Sequence, residues 1–405
     1  MVDKPAPAAT ADTATLTGVK YLRRIYGMLE RLNVSGTERD DAGNRTLLFG
    51  HYVGLILLGL FNPTMHSLRG LVELSKLKKV QRALGSSPTS LGSISESVRV
   101  FDPELLAPLL AELVEQVHTR RGGNRTSIPE DLAQRLTAVD GSVLKILPEL
   151  VAAAGSEKGK WRMHLHFDLW HGIPTRATVL PDGAGGNADE RSVLRDTVQA
   201  HRTYVIDAGY ERYALFQQIV DARSDYVCRV QKREVEVLEP RPLTEASKAA
   251  GVVSDELVQL GNSRAEVGKV QHQVRRLILS GVTTPERPRT DRVRSPDIVL
   301  LTNLVDVPAE VVAEIYRQRW TIELFFRFFK HVLRCKTLLS TKEEGVAIQV
   351  YCALIAALLL SLITQHNFGR RGFELLCLYL QGWADEEEVL AGLDRLRQSP
   401  PRKRR

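Results

Sequence analysis

The chain has 405 residues, 43% of them hydrophobic, so it is long enough for two or three domains with filled cores. Lys and Arg outnumber Asp and Glu by 55 to 48, a mild excess that favours a polyanionic partner without requiring one. The four cysteines form no Cys-x-x-Cys pair, which argues against a zinc knuckle and a disulfide framework and fits a reducing cytoplasm.

The N-terminal region begins with a segment unlike a secretion signal. Residues 1–17 are rich in Ala, Thr and Pro and lack a basic start and an apolar run, so we predict a disordered tail and no export. Residues 18–125 follow with apolar positions at helical spacing, which predicts an all-helical N-terminal domain. Its Ser/Pro segment, residues 86–101, is compatible with a DNA-reading helix-turn-helix and equally with plain bundle packing.

Basic residues cluster at four places, residues 76–82, 118–125, 287–294 and 400–405. Each cluster alone is typical of a solvated face or tail. Four together favour a DNA or RNA partner.

Strand-like and helical segments alternate after residue 125, in the order β-β-β-α-β-α-β over residues 126–230. This order predicts a mixed sheet flanked by helices. Residues 231–296 break into short strand candidates among Pro, Thr and Arg, as an inserted β-rich subdomain does. The core resumes over residues 297–396 and ends in a basic tail, residues 397–405.

The longest apolar stretch, Ala347 to Ile363, contains Gln349 and is slightly shorter than the ~20 residues that a membrane span needs. We therefore predict a buried helix and no membrane partner.

The densest mixture of aromatic and charged residues lies in a helix predicted to start at Pro308. On a wheel of about 100° per residue, one stripe contains Tyr316, Arg319, Glu323 and Lys330. Flanking the stripe are Trp320 and Phe326. The far half, the predicted buried back of the helix, contains Leu324, Phe325, Phe328, Phe329 and Val332.

A carboxylate with cations about one and two turns away suits a metal ion and the phosphates that it binds. The plain alternative is an exposed salt bridge between Arg319 and Glu323, which their i, i+4 spacing permits on many helices. The Tyr and Lys that complete the stripe favour the metal and phosphate interpretation.

The spacing Tyr-x2-Arg-x3-Glu-x6-Lys resembles the signature of bacterial insertion-sequence transposases of the DDE class, whose catalytic core is RNase H-like. The segments "LTAVDGS" and "YVIDAGYERYALF" resemble the stretches that carry the first and second Asp, and "LLSTKEEGVAIQVYCALIAALLL" resembles the stretch after the Glu. The fold class implied is α/β, with an RNase H-like mixed sheet and flanking helices, an all-helical N-terminal domain and a β-rich insertion.

By position, the resemblance implies that the catalytic and metal-binding residues are Asp140, Asp207 and Glu323, with Mg2+ as cofactor and Mn2+ as a substitute. The residues themselves agree. Asp140 interrupts an apolar strand, where a carboxylate needs a metal, a partner or an exposed sheet edge. Asp207 closes an apolar strand at its C-terminal end, the usual place for ligands. The DNA phosphate contacts implied are Tyr316, Arg319 and Lys330.

The resemblance also implies double-stranded DNA partners, both the element ends and the target, and a homodimer on DNA. It further implies that residues 231–296 are the family's insertion, which handles a hairpin or flipped base in some relatives through a Trp wedge. The four tryptophans here all lie outside that segment, so hairpin formation is left open.

Two other functions stay open: a metal-dependent nuclease with the same core but no strand transfer, and a non-catalytic DNA-binding descendant. A rival metal site, His164, His166 and Asp168 on one strand face, lacks further ligands and is better explained as a half-exposed antiparallel strand. The Gly-rich segment 181–190 lacks a phosphate-loop Lys and is predicted to be a turn.

Overall fold

The computed structural model groups the chain into two units, residues 1–121, 144–160 and 327–405, and residues 122–143 and 161–326. The residues that it describes are 25–35, 43–61, 67–124, 126–146, 160–181, 190–231, 235–260, 270–280, 297–333, 335, 337–365, 371, 374–375, 378–379 and 383–398. The predicted tail at residues 1–17, the basic cluster at 287–294 and residues 399–405 lie outside these ranges. The domain boundaries given above stay predictions.

The helices are α1 (Tyr26–Ser35), α2 (Phe49–Leu60), α3 (Leu68–Ser75), α4 (Lys78–Leu84), α5 (Leu91–Ser97), α6 (Leu106–Arg120), α7 (Glu130–Ala133), α8 (Glu190–Thr197), α9 (Tyr213–Asp221), α10 (Glu245–Ala249), α11 (Ala309–Gln318), α12 (Trp320–Arg327), α13 (Glu343–Thr364) and α14 (Glu386–Gln398). The strands are β1 (Leu136–Ile146), β2 (Lys160–Asp168), β3 (Ile173–Pro181), β4 (Thr203–Ile206), β5 (Asp225–Val230), β6 (Glu236–Pro240), β7 (Val252–Gln259), β8 (Val274–Leu279), β9 (Ile298–Thr302) and β10 (Thr337–Leu338).

The first unit is mainly helical, and α13 is its longest helix among the described residues. This helix contacts α2 and α6. Among the described residues, Glu343–Ile363 of this helix form a segment long and apolar enough to cross a membrane. However, 89% of the apolar 18-residue window within it is buried inside the fold. The predicted buried helix is confirmed, because the apolar residues on all its sides contact protein.

The segment 86–101 contains the expected short helix. Ser90 caps α5, since its side chain accepts a hydrogen bond from the backbone N–H of Ser93 at 3.0 Å. The structure thus supports a turn followed by a helix. Its role in reading DNA stays a prediction.

The sheet has the strand order β3-β2-β1-β4-β5-β9-β8-β7-β6. Parallel pairing joins β1 to β4 and β4 to β5, whereas β2 with β3, and β5 with β9, are antiparallel. Helices accompany the strands in the predicted order, so the mixed α/β sheet of an RNase H-like fold is confirmed. Stacked rings of Phe216 and Tyr226, 4.4 Å apart, join α9 to β5 in the core.

The predicted β-rich insertion continues the main sheet. Its strands β6, β7 and β8 are antiparallel to their neighbours, and β8 pairs with β9. The segment therefore shares a hydrogen-bonded ladder with the strands that surround the candidate site.

Strand β2 differs from the half-exposed strand predicted for it. His164 and His166 are buried, and Asp168 is buried as well, so both faces of β2 are covered. Helix α8 packs against His166 of this strand, and its Thr197 hydroxyl lies 3.0 Å from Nε2 of His166. The alternating pattern was correct for a strand, but His166 and Asp168 face protein, where Thr197 and His171 are their hydrogen-bond partners.

Candidate active site

Asp140 and Asp207 lie side by side because of the register between β1 and β4. Leu136 pairs with Thr203 and Ala138 with Val205, so each aspartate follows two residues after the same pair. Their side chains are 24% and 33% exposed, which leaves both carboxylates accessible to a ligand.

Each aspartate carboxylate is oriented by the backbone N–H of the next residue. The carboxylate of Asp140 accepts a hydrogen bond from the N–H of Gly141, and that of Asp207 accepts one from the N–H of Ala208, both at 2.8 Å. Asp207 thereby caps the short 3-10 helix Ala208–Tyr210. In both residues the backbone occupies Oδ1, and the cation described below approaches Oδ2.

The predicted long helix contains a tighter turn at Arg319. Helix α11 ends at Gln318 and α12 begins at Trp320, while the N–H of Arg319 bonds to Tyr316 O and the N–H of Ile322 bonds to Arg319 O, both at 3.1 Å. These are i to i+3 bonds, so the turn is locally 3-10-like. Regular α-helical geometry therefore does not run unbroken from Tyr316 to Glu323.

Arg319 contacts all three predicted catalytic carboxylates. Its Nη2 lies 2.7 Å from Oε1 of Glu323 and 3.6 Å from Oδ2 of Asp207, and its Nη1 lies 3.5 Å from Oδ2 of Asp140. The Arg319 side chain is 11% exposed. The predicted Arg319–Glu323 pair is present, but it is a half-buried junction of four charged groups rather than an exposed surface pair.

Electrostatics explain how a buried cation is tolerated at this point. Burial opposes the charge of Arg319, but attraction to the negative charge that Tyr316, Asp207, Asp140 and Glu323 can carry outweighs it and raises its pKa. The Arg319 guanidinium also lies over the Tyr316 ring, 5.7 Å from its centroid. Burial raises the pKa of Tyr316 to about 12, against the opposing effect of Arg319, so its hydroxyl stays protonated at neutral pH.

The buried aromatic side of α12 determines how the helix is oriented. Phe325 is 2% exposed and contacts the ring of Phe167 on β2, with centroids 5.3 Å apart. Phe328 and Phe329 are also buried, as predicted, whereas Leu324 is 38% exposed and was wrongly assigned to the buried back. Leu324 follows Glu323 by one residue and lies about 100° from it on the wheel, at the edge of the far half and not at its centre.

Lys330 is in the other unit, within the π-helical turn Phe328–Val332. Its side chain is half-buried, and burial together with the nearby charge of Lys145 lowers its pKa. The 3.6-residue period that placed Lys330 in the stripe does not extend through a π turn. Its predicted role at phosphate stays a prediction.

Arg229 on β5 is a residue that sequence reasoning missed. Its Nη1 lies 3.9 Å from Oδ1 of Asp207, and its side chain is 42% exposed, much more than that of Arg319. The signal was available, since Arg229 is the one charged residue within the apolar "YVCRV" strand next to the Asp207 strand. A second cation therefore stands beside the carboxylates, open to solvent.

The donor set fits a divalent metal ion. Asp140, Asp207 and Glu323 bring oxygen atoms within 3.6 Å of one planar guanidinium, so their carboxylates already converge on a single positive charge. Hard divalent cations prefer oxygen ligands of this type.

Comparison with known proteins identifies the family. The model for the transposase DDE domain matches residues 131–359, more than half of the chain. The chain belongs to this family. The match begins just before β1 and extends into α13, so it includes the segments that carry Asp140, Asp207 and Glu323 in this DDE transposase domain. The resemblance inferred from the sequence is confirmed for the DDE class, and the Tyr-Arg-Glu-Lys signature stays a prediction.

Relatives of the domain carry transposase names. One, transposase y4zB of Sinorhizobium fredii, is 27% identical over 216 residues, 51% of this chain and 54% of the relative. Another, for insertion sequence element IS5377 of Geobacillus stearothermophilus, is 32% identical over 205 residues, 50% of this chain and 49% of the relative. The chain thus spans about half the length of these relatives. A piggyBac transposase in a synaptic complex with hairpin DNA aligns over 97% of this chain and 83% of its own, with 11% identity and a TM-score of 0.42.

Proposed function

We propose that the chain is a DNA transposase that binds the ends of an insertion sequence, cleaves them and joins the 3′ ends to target DNA. The observation that carries the proposal is the contact of Asp140, Asp207 and Glu323 with one cation, Arg319. These carboxylates come from three separated segments, so their convergence is a property of the fold and not of a local motif. Membership of the DDE transposase family supports the same reaction class.

Asp140, Asp207 and Glu323 would hold Mg2+, or Mn2+ in its place. The bound metal would supply Lewis-acid activation of water or a 3′-hydroxyl and stabilisation of the leaving oxygen. The chain itself supplies the orientation of the ligands, through the backbone hydrogen bonds to the two aspartates and through the anchoring of α12 by Phe325.

The cations around the triad would bind DNA phosphates. Arg319 and the more exposed Arg229 present guanidinium donors suited to phosphate oxygens. Tyr316, protonated at neutral pH, would donate a hydrogen bond beside them. Lys330 would add a further phosphate contact. The partners proposed are double-stranded element ends and target DNA, with two copies of the chain at paired ends, in the cytoplasm.

The deciding experiment is cleavage and strand transfer of the DNA that flanks the chain's own gene. We expect Mg2+-dependent cleavage by the wild type, and loss of it in Glu323→Gln. The matched control is Glu314→Gln on α11, whose carboxylate pairs with Arg317 at 3.4 Å and not with the triad. Equal cleavage by wild type and Glu323→Gln would contradict the catalytic assignment.

Pre-cut ends separate transposition from the two alternatives. A transposase joins pre-cut ends to target DNA, whereas a nuclease of the same core cuts but does not join. A non-catalytic descendant binds ends and does neither. Binding should also weaken steeply with salt if basic residues contact phosphates.

A further inference from the structure

The β-rich insertion is attached to the loop that leads into the helix of the candidate site. Arg275 on β8 is 2% exposed, and its Nε and Nη2 each donate a hydrogen bond to a carboxylate oxygen of Asp255 on β7 at 2.7 Å. The remaining nitrogen, Nη1, donates to the backbone carbonyl of Leu304 at 3.1 Å and also to that of Val307. One side chain thus connects two strands of the insertion to residues 304–307.

Other contacts follow the same route. Arg241 donates from Nη1 to the carbonyl of Val305 at 2.5 Å, and the hydroxyl of Ser247 donates to the carboxylate of Glu310 at 2.7 Å. Arg317, near the end of α11, donates to the carbonyl of Ala250. The insertion therefore holds both the loop before α11 and the helix itself.

This loop determines where the site residues lie. Residues 303–308 connect β9 to α11, and α11 carries Tyr316 and leads directly to Arg319. A loop of this kind has carbonyls that no regular ladder satisfies, so its path depends on side-chain donors. A buried ion pair is a poor source of net stability, because desolvation of the charges offsets their attraction. The fully buried Arg275–Asp255 pair is better explained as a geometric constraint on the loop.

We propose that Arg275 is a positioning residue for the transposase site. By fixing the carbonyls of Leu304 and Val307, it fixes the direction from which α11 presents Tyr316 and Arg319 to the aspartates. The catalytic consequence rests on the proposed function, whereas the effect on the loop does not. The insertion then acts as a platform for α11, that is, it supports the helix that carries Tyr316 and leads to Arg319.

The adjacent residue provides a matched control. Arg276 pairs with Glu256 across the same two strands, with Nε 2.8 Å from Oε2. Both side chains of this pair are 18% exposed, and within the part of the chain that the structure describes Arg276 makes no hydrogen bond with residues 303–308. Arg275→Met and Arg276→Met therefore each break one cross-strand ion pair, but only the first releases the loop.

Hydrogen–deuterium exchange is the direct test. We expect Arg275→Met to accelerate exchange roughly tenfold or more in residues 304–323, with a smaller change in β7 and β8. Arg276→Met should leave residues 304–323 unchanged. A uniform acceleration across the unit, or an equal effect of Arg276→Met, would overturn the proposal. If Arg275→Met does not fold, Arg241→Met, which removes the contact with Val305, provides the same comparison.

Cleavage kinetics give the catalytic readout. Arg275→Met should lower kcat roughly tenfold to a hundredfold and leave KM within about twofold, because misplaced groups slow the chemical step more than they weaken binding of a long DNA. A kcat equal to that of Arg276→Met would contradict the catalytic part of the proposal. If the wild type does not cleave DNA, the proposed function fails, and the exchange pattern still decides whether Arg275 positions the loop.

Discussion

Replacing Arg319 by Met tests whether this guanidinium holds the three carboxylates together. Met retains much of the apolar stem and removes the charge that lies 2.7 Å from Glu323, 3.5 Å from Asp140 and 3.6 Å from Asp207. Without divalent ions, the variant should leave three carboxylates facing one another, with the Arg229 guanidinium 3.9 Å from the carboxylate of Asp207.

The size of the effect follows from exposure. Two unit charges about 4 Å apart interact by about 4 kcal/mol at an effective dielectric constant of about 20. The carboxylates here are 24%, 27% and 33% exposed, so solvent screens much of this attraction. Fully buried pairs cost about 3–5 kcal/mol to break and exposed pairs about 0.2–1 kcal/mol. We expect Arg319→Met to lower the free energy of unfolding by about 2–3 kcal/mol, between those limits.

Urea unfolding with and without Mg2+ measures the loss of stability and the stabilisation by the metal. Urea is suitable because it adds no salt to screen the charges. A ligand that binds only the native state stabilises it according to its affinity. Because no guanidinium competes for the carboxylates, Mg2+ should stabilise Arg319→Met more than the wild type. Arg276→Met, which breaks a pair outside the carboxylate junction, is the control and should show the wild-type Mg2+ increment. Unchanged stability of Arg319→Met without Mg2+, or an equal increment with it, would refute the reasoning.

Three further predictions concern the packing around the site and in the helical unit. His166 is buried among cationic neighbours, and burial and then these charges lower its pKa from 6.5 to about 3. Between those values the unfolded chain binds a proton that the native chain does not, so stability should fall as pH decreases, by at most about 1.4 kcal/mol per pH unit, and urea unfolding of His166→Gln should show a shallower fall. Phe325→Ala should cost about 3–5 kcal/mol in urea unfolding and Leu324→Ala less than about 1 kcal/mol, because only the first side chain is buried; equal costs would contradict the observed helix orientation. A Cβ at Gly50 would lie 2.1 Å from a backbone carbonyl oxygen of α1, so Gly50→Ala should lower the melting temperature. Among the described residues a Cβ at Gly27 would meet no atom within 4 Å beyond its own stretch of helix, so Gly27→Ala should raise the melting temperature slightly.

Local sequence patterns were sufficient to predict the order of elements and the fold class. The apolar strand interrupted by Asp140, the apolar run before Asp207 and the Pro308 start of the long helix each determine a backbone conformation over a few residues. The patterns failed where the outcome depends on distant partners. Strand β2 is predicted to be half-exposed because its histidines are polar, yet both are buried, and His166 contacts Thr197 on α8, which no local pattern predicts.

The candidate site was predicted residue by residue, but its central contact was not. A helical wheel places Arg319 beside Glu323, and the structure retains that pair. A helical wheel cannot show that Arg319 also reaches Asp140 and Asp207. That contact requires the register of β1 against β4, which brings the aspartates level, and the 3-10-like turn at Arg319 that separates α11 from α12. The contacts themselves join residues more than a hundred positions apart in the chain, Arg319 to Asp207 and Arg319 to Asp140.

The insertion shows the same dependence at longer range. The sequence offers only an "RR" at 275–276 and a "DE" at 255–256, and alternation along a strand predicts that the two arginines face opposite sides. Which side is buried follows from the pairing of β8 with β9 and from the loop that β9 continues into. Arg275 therefore acquires its role from the topology, since on the other face the same residue type, Arg276, forms only a partly exposed pair. If the insertion is the platform of α11, then substitutions in it should change the site through residues 304–307 and not through direct contact with DNA, and the matched arginines distinguish these two routes.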